Sequence, residues 1–218
     1  MTFKPKIVPL GDSAVLVQLG DEIDLTINQH VHALAALISI SSLAGIVETV
    51  PAYATLLIHY DPLILSYAKM HKWLHTKLEQ AEEANLRKPR QIEVPVRYGG
   101  ERGVDLAFVA AYHNLRVEDV IRIHSQNTYT IYMMGFTPGF PYMGKLDAEI
   151  ATPRLETPRT RVSAGTVAIA GSQTGIYPIG SPGGWRLIGY TSLQLFDPAS
   201  QSPFLFSPGD QVRFIVEK

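Results

Sequence analysis

The sequence predicts an α+β chain in two parts: four strands under two helices over residues 1–90, then a mostly β part over residues 91–218. Three observations carry this. Two amphipathic helical patterns are set among short runs of alternating apolar residues up to about Val96. After Met134 no helical period recurs. Between Gly135 and Gly189 lie ten of the seventeen glycines and six of the fifteen prolines, mixed with Phe136, Phe140, Tyr142, Tyr177 and Trp185. That composition is too apolar for a disordered linker and too interrupted for helices.

Taken in order, Val15, Val17 and Leu19 alternate with other residues after the turn-like Gly11 and Asp12, which predicts a strand. From Leu25, the residues Ile27, Val31, Leu34, Ala35 and Ile38 recur at helical steps, with Asp24 as N-cap and Gly45 closing the segment. Ile46 to Val50 and Tyr53 to His59 follow as strands on either side of Pro51. A second helix is expected from a cap at Asp61 and an opening Pro62 to about Ala84. Ile92 to Val96, although just past the division at residue 90, is expected to supply the fourth strand of this sheet. The order β-α-β-β-α-β is that of a ferredoxin-like layer. Beyond the glycines at 99, 100 and 103, two short helices are expected at Asp105 to Tyr112 and from Val117 to about Gln126, then a strand from Thr128 to Met134. Short strands at Val167 to Ala170, Leu187 to Ile188, Ser192 to Phe196 and Gln211 to Val216 predict a small closed barrel or a sandwich.

Nineteen basic against twenty acidic residues give a net charge of −1, so no overall field draws nucleic acid or an anionic membrane. The longest apolar run, around Ala33 to Ile40, is far short of the roughly 20 residues a membrane helix needs. With no cysteine there is no disulfide, thiolate catalysis or thiolate-bound metal. Met1 to Val8 lacks a secretory core, so the expected compartment is the cytoplasm.

Neither standard phosphate-cradling glycine motif occurs, and no His-Glu-x-x-His. His71 and His75 stand four apart on a helix without a carboxylate partner, so no metal site is expected, and His30 and His32 are equally plain. His124 ends a short helix just before the glycine-rich segment, where an imidazole can transfer a proton or bond the last helical carbonyls. Phe136 and Phe140 flank a Pro138-Gly139 pair suited to a type II turn, so both rings face one pocket or plug the core. Arg159 and Arg161 are two apart on an extended segment and can share a face to clamp a carboxylate or phosphate; the alternative is surface ion pairing. No acid stands between Glu156 and Asp197, while Arg159, Arg161 and Arg186 remain, which favours an anionic ligand. Gly183 and Gly184 free backbone amides to approach a ligand oxygen, with Gln173 and Tyr177 as neutral hydrogen-bonding groups beside them; the same glycines also suit plain tight turns.

GFTPGFPYMGKLD, PRLETPRTRVSAGTVAIAG, QTGIYPIGSPGGW and the early PLGDSAVLVQLGD together resemble the family of B-type subunits of the bacterial ATP-dependent 5-oxoprolinase, nearly from end to end. That family includes the histidine kinase inhibitor KipI and carries the older label allophanate hydrolase subunit 1. The resemblance implies a C-terminal cyclophilin-like β-barrel. It also implies work inside a complex with two further components, a KipA-like C-type one and a LamB/YcsF-like A-type one, opening 5-oxo-L-proline to L-glutamate at the expense of ATP, with the chain inactive alone. On that basis His124, Arg159 and Arg161 are expected to be catalytic. Phe136, Phe140, Gln173, Tyr177, Gly183, Gly184 and Arg186 are expected to bind substrate. The alternatives are a KipI-like block on kinase autophosphorylation, with a histidine kinase as partner, and a role in urea or allophanate metabolism. Val104, Ser163 and Tyr190 depart from the family pattern; the last replaces a basic residue and so removes a positive charge near the expected site.

Overall fold

The computed structural model describes residues 4–82 and 89–217, in two compact units divided between Lys88 and Pro89. In the first unit, β1 (Lys6–Pro9), β2 (Ala14–Gln18), β3 (Ile46–Pro51) and β4 (Thr55–Tyr60) form a sheet of order β1-β2-β4-β3, antiparallel throughout. Helix α1 (Leu25–Ser39) starts where expected, with the Asp24 carboxylate accepting from the Ile27 N–H at 3.0 Å. Its buried Ile27, Val31, Leu34 and Ile38 meet Val15, Val17, Leu56 and Ile58 of the sheet and Leu65, Met70 and Leu74 in one apolar core.

Three expectations need correction here. The strand at Ile92 to Val96 does not join this sheet, so the unit runs β-β-α-β-β-α and is not the ferredoxin-like layer. The edge place goes to Lys6–Pro9, a four-residue, mostly exposed strand with almost no pattern to find it by. Second, Asp61 and Pro62 make a turn and no helix start: the Asp61 carbonyl accepts from Ile64 and Leu65, its carboxylate accepts from Leu63, and helix α2 (Tyr67–Glu82) begins beyond them. This turn puts Leu65 into the core, leaving Leu63 and Ile64 outside. The expected helix end at Ala84 lies outside the described residues. Third, Ser192 to Phe196 is not a barrel strand; it meets the chain again through Leu205 N–H to Leu195 O and a lone bridge between Phe196 and Phe204.

The second unit is built on a closed seven-stranded barrel. Around it run β10 (Gln173–Ile176), β7 (Pro141–Gly144), β6 (Thr128–Met134), β13 (Gln211–Val216), β5 (Gln91–Tyr98), β12 (Arg186–Tyr190) and β9 (Thr166–Ala170), the last returning to β10. β5 and β13 pair in parallel from Gln91↔Gln211 to Val96↔Val216, which is where the misassigned fourth strand belongs. Inside pack Val94, Val96, Ile131, Val167, Ile169, Ile188, Val212 and Phe214, joined by residues of α3 (Leu106–Tyr112) and α4 (Val117–Gln126). All five residues of β9 are buried, because both of its faces are covered. Val167 and Ile169 belong to the barrel core, while Ala168 and Ala170 belong to a second cluster with Phe140, Val162, Tyr177, Trp185 and Leu187. Val162 of that cluster lies on a two-stranded ribbon, β8 (Arg159–Val162) with β11 (Ser181–Gly183).

Candidate functional site

The loop that enters β7 is closed on itself by three main-chain hydrogen bonds. Gly135 N–H donates to Phe140 O at 3.1 Å, Phe140 N–H to Thr137 O at 3.1 Å, and Thr137 N–H to Gly135 O at 2.7 Å. Gly139 at φ +85 completes the type II turn expected of Pro-Gly. The two flanking rings part company. Phe140 is buried edge-on to Tyr177 and Trp185, whereas Phe136 is 61% exposed.

Tyr177 is buried in this aromatic cluster, whose rings meet at Phe140, and burial pushes its phenol pKa up. A Cβ on Gly183 would overlap the Tyr177 hydroxyl and lie 2.7 Å from its Cζ. The glycine therefore exists for the close approach of this ring. Gly183→Ala is expected to cost roughly 2 kcal/mol through overpacking, seen as a lower urea midpoint with altered near-UV dichroism from Tyr177 and Trp185. An unchanged midpoint would mean the tyrosine turns aside freely. Gly184 O accepts from Leu155 N–H, and Gln173 opens β10 half-buried.

The arginines do not form one free cationic hollow. Arg159 donates from Nη2 to Asp105 Oδ1 at 2.9 Å, and Leu187 N–H donates to the other carboxylate oxygen at 2.7 Å. The lack of acids between Glu156 and Asp197 says nothing about this pair, because the fold brings the acid in from 54 residues away. Arg186 donates from Nε to Pro153 O at 3.1 Å and lays its guanidinium 4.0 Å from the centre of the exposed Phe108 ring. Arg161 projects from β8 into solvent with no ion pair among the described residues. Another cation, absent from the expected set, is Arg102, whose guanidinium lies 3.9 Å over Tyr190.

His124 lies apart from the arginines, fully buried in the barrel core and stacked on Phe214. Thr174 Oγ1 donates to Ala168 O at 3.1 Å, so it accepts from His124 Nε2–H at 2.9 Å, and Nδ1 accepts from the Tyr98 hydroxyl at 2.7 Å. This network assigns the Nε2–H tautomer. Burial holds its pKa down at about 3. The expectations of a proton carrier or a bond to helical carbonyls meet a neutral ring with both nitrogens engaged, so neither is retained. Sequence reasoning missed Asp105, Arg102, Phe108 and Thr137; each acts through a partner distant in sequence or through loop geometry with no local signature.

A family model described as carboxyltransferase domain, subdomain C and D, matches residues 5–206. The chain is 42% identical to the B-type subunit of 5-oxoprolinase from Bacillus subtilis over 99% of its own length and 94% of that protein's. It is likewise 42% identical to the corresponding 5-oxoprolinase protein of Haemophilus influenzae, over 97% of each chain. The crystal structure of TTHA0988 superposes with a TM-score of 0.84 at 38% identity, over 94% of this chain and 40% of that one. Among the described residues no helix is long and apolar enough to cross a membrane. Identity at this level over nearly the whole length means that the chain belongs to the family of B-type 5-oxoprolinase subunits.

Proposed function

We propose that the chain is the B-type subunit of a cytoplasmic ATP-dependent 5-oxoprolinase, active with its A-type and C-type partners in converting 5-oxo-L-proline to L-glutamate. The observation that carries this is the 42% identity with the Bacillus subtilis protein across 99% of the chain. The chemistry calls for such an assembly. A five-membered lactam is a stable amide, so transfer of the ATP γ-phosphoryl group to its oxygen is needed to make the ring carbon electrophilic. Water then adds to that carbon, the C–N bond opens, and a second water releases phosphate.

Negative charge grows on the phosphoryl and carbonyl oxygens during these steps, and fixed cations lower its energy. In this reading Arg161 and Arg186 bind the carboxylate or phosphoryl oxygens. Phe108 supports this use of Arg186, since a guanidinium stacked on a ring keeps its remaining N–H groups available. Arg159 is a positioning residue: through Asp105 it fixes Leu187, the residue after Arg186. The barrel is read as the cyclophilin-like one of the family.

The test combines the chain with its A-type and C-type partners and measures ADP and glutamate with and without 5-oxoproline. Turnover is expected in the ternary mixture alone. A mixture that never responds to 5-oxoproline, with stoichiometric inhibition of a histidine kinase by the chain by itself, overturns the reading. The double variant Arg161→Ala/Arg186→Ala is expected to lower kcat/KM about a hundredfold. An undiminished rate removes these arginines from the reaction.

A further inference from the structure

Residues 151–155 form a strap without regular structure, and the strap carries Arg154. It is pinned at Thr152, which is fully buried. The Thr152 hydroxyl donates to Ile150 O at 3.0 Å, so it accepts from His113 Nε2–H at 3.1 Å, and Thr152 O accepts from Gly171 N–H at 2.8 Å. Beyond this anchor the strap runs alongside residues 184–186 in the opposite direction: Leu155 N–H donates to Gly184 O at 2.8 Å, and Arg186 Nε donates to Pro153 O at 3.1 Å. Arg154 is thereby set opposite Trp185, next to the carbonyl that Arg186 grips.

The Arg154 guanidinium lies 5.8 Å from the centre of the Trp185 ring. Trp185 is itself buried, with Phe140 and Tyr142 packed edge-on against it, so the cation rests on an apolar bed. Burial pushes the phenols of Tyr142 and Tyr177 up, and the charge of Arg154 acts against that shift in both. The cation thus stands close to the whole cluster. Arg154 is exposed and makes no hydrogen bond or ion pair among the described residues. A guanidinium held over a ring keeps its N–H edge available, and that edge matches a carboxylate or phosphoryl group in a forked pair. Neither Arg154 nor Arg186 is paired with a carboxylate among the described residues, so two cations share this seam and favour an anion.

We infer that Arg154 is a further anion-binding residue of the Arg186 site, taking a carboxylate or phosphoryl oxygen of the reacting molecules on its N–H edge. The reaction it serves rests on the oxoprolinase reading; its affinity for an anion does not. Two substitutions separate charge from packing. Arg154→Met keeps an unbranched chain over Trp185 without the cation, and Arg154→Lys keeps the cation without the fork. In NMR of the full chain, the indole N–H signal of Trp185, one of two tryptophans, is expected to shift on addition of inorganic phosphate or acetate. Arg154→Met is expected to lose that shift while keeping the wild-type urea midpoint. In the reconstituted enzyme the same variant is expected to lower kcat/KM for 5-oxoproline by at least about tenfold, with Arg154→Lys recovering part of it. A response to acetate with a raised KM for 5-oxoproline marks a carboxylate; a response to phosphate with a raised KM for ATP marks a phosphoryl group. A wild-type indole that ignores both anions, or an Arg154→Met enzyme within about twofold of wild-type kcat/KM, overturns the proposal. An assembly that never turns over 5-oxoproline, built on a chain whose anion response still depends on Arg154, upholds the anion site and removes the reaction.

Discussion

Asp105→Ala is expected to lower the stability of the second unit by about 3 kcal/mol, a fall in Tm of roughly 6–12 °C. The Asp105 side chain is 9% exposed and serves two elements at once, accepting from Arg159 on β8 and from Leu187 N–H on β12. Truncation strands a buried amide without a partner, costing about 1–3 kcal/mol, and releases a guanidinium whose 28% exposure softens its share of the loss. A cycle that adds Arg159→Met, followed by chemical denaturation, is expected to return a coupling of about 1–2 kcal/mol. Independent, additive losses would show that the pair is coincidental. Because Leu187 follows Arg186, the same variant is expected to depress 5-oxoproline turnover in the assembled enzyme.

The second large effect is an acid dependence set by His124. Its pKa is about 3 in the folded state against the ordinary 6.5. Above pH 6.5 the ring is neutral in both states and contributes no slope. As the pH falls from 6.5 toward 3, the unfolded chain takes up a proton that the folded chain refuses, so stability drops by about 1.4 kcal/mol per pH unit. The loss approaches 4 kcal/mol, as an order of magnitude, near the lower end. Urea midpoints between pH 7 and pH 4 are expected to fall steeply, and His124→Gln is expected to flatten that profile while starting from a lower midpoint at pH 7. In the folded wild type, the His124 ring resonances are expected to hold their neutral positions until the protein unfolds. A titration near pH 6.5 with the fold intact would contradict the sealed, doubly bonded ring.

Local chemistry was readable. Asp24 caps α1, Pro138-Gly139 makes a type II turn, and the apolar periods of α1, α3 and α4 fall where the elements do. Such signals act within a few residues, and the backbone has little choice about them. Pairing between distant segments left no mark. Val94 and Val96 alternate just as a strand of the first sheet would, and only the shape of the barrel decides that they align with Phe214 and Val216. The arginine argument failed for the same reason, because a count of acids along the segment cannot register Asp105 arriving from the residue just before α3. Phe136 and Phe140 are alike in composition, and a difference of one turn's geometry sends one outward and the other inward.

The seam between β5 and β13 sets an order of events during synthesis. Residues 1–88 contain their own compact unit and are free to consolidate while the remainder is still emerging. The cylinder that follows has its first stave cut at residue 91 and its partner stave cut last, at residues 211–216. The barrel has no closing strand until residues 211–216 are made, and its closure then spans a loop of more than a hundred residues, the kind of long-range contact that forms slowly. Ribosome-stalled chains lacking the last stave should therefore display a protease-resistant first unit tethered to a readily digested remainder.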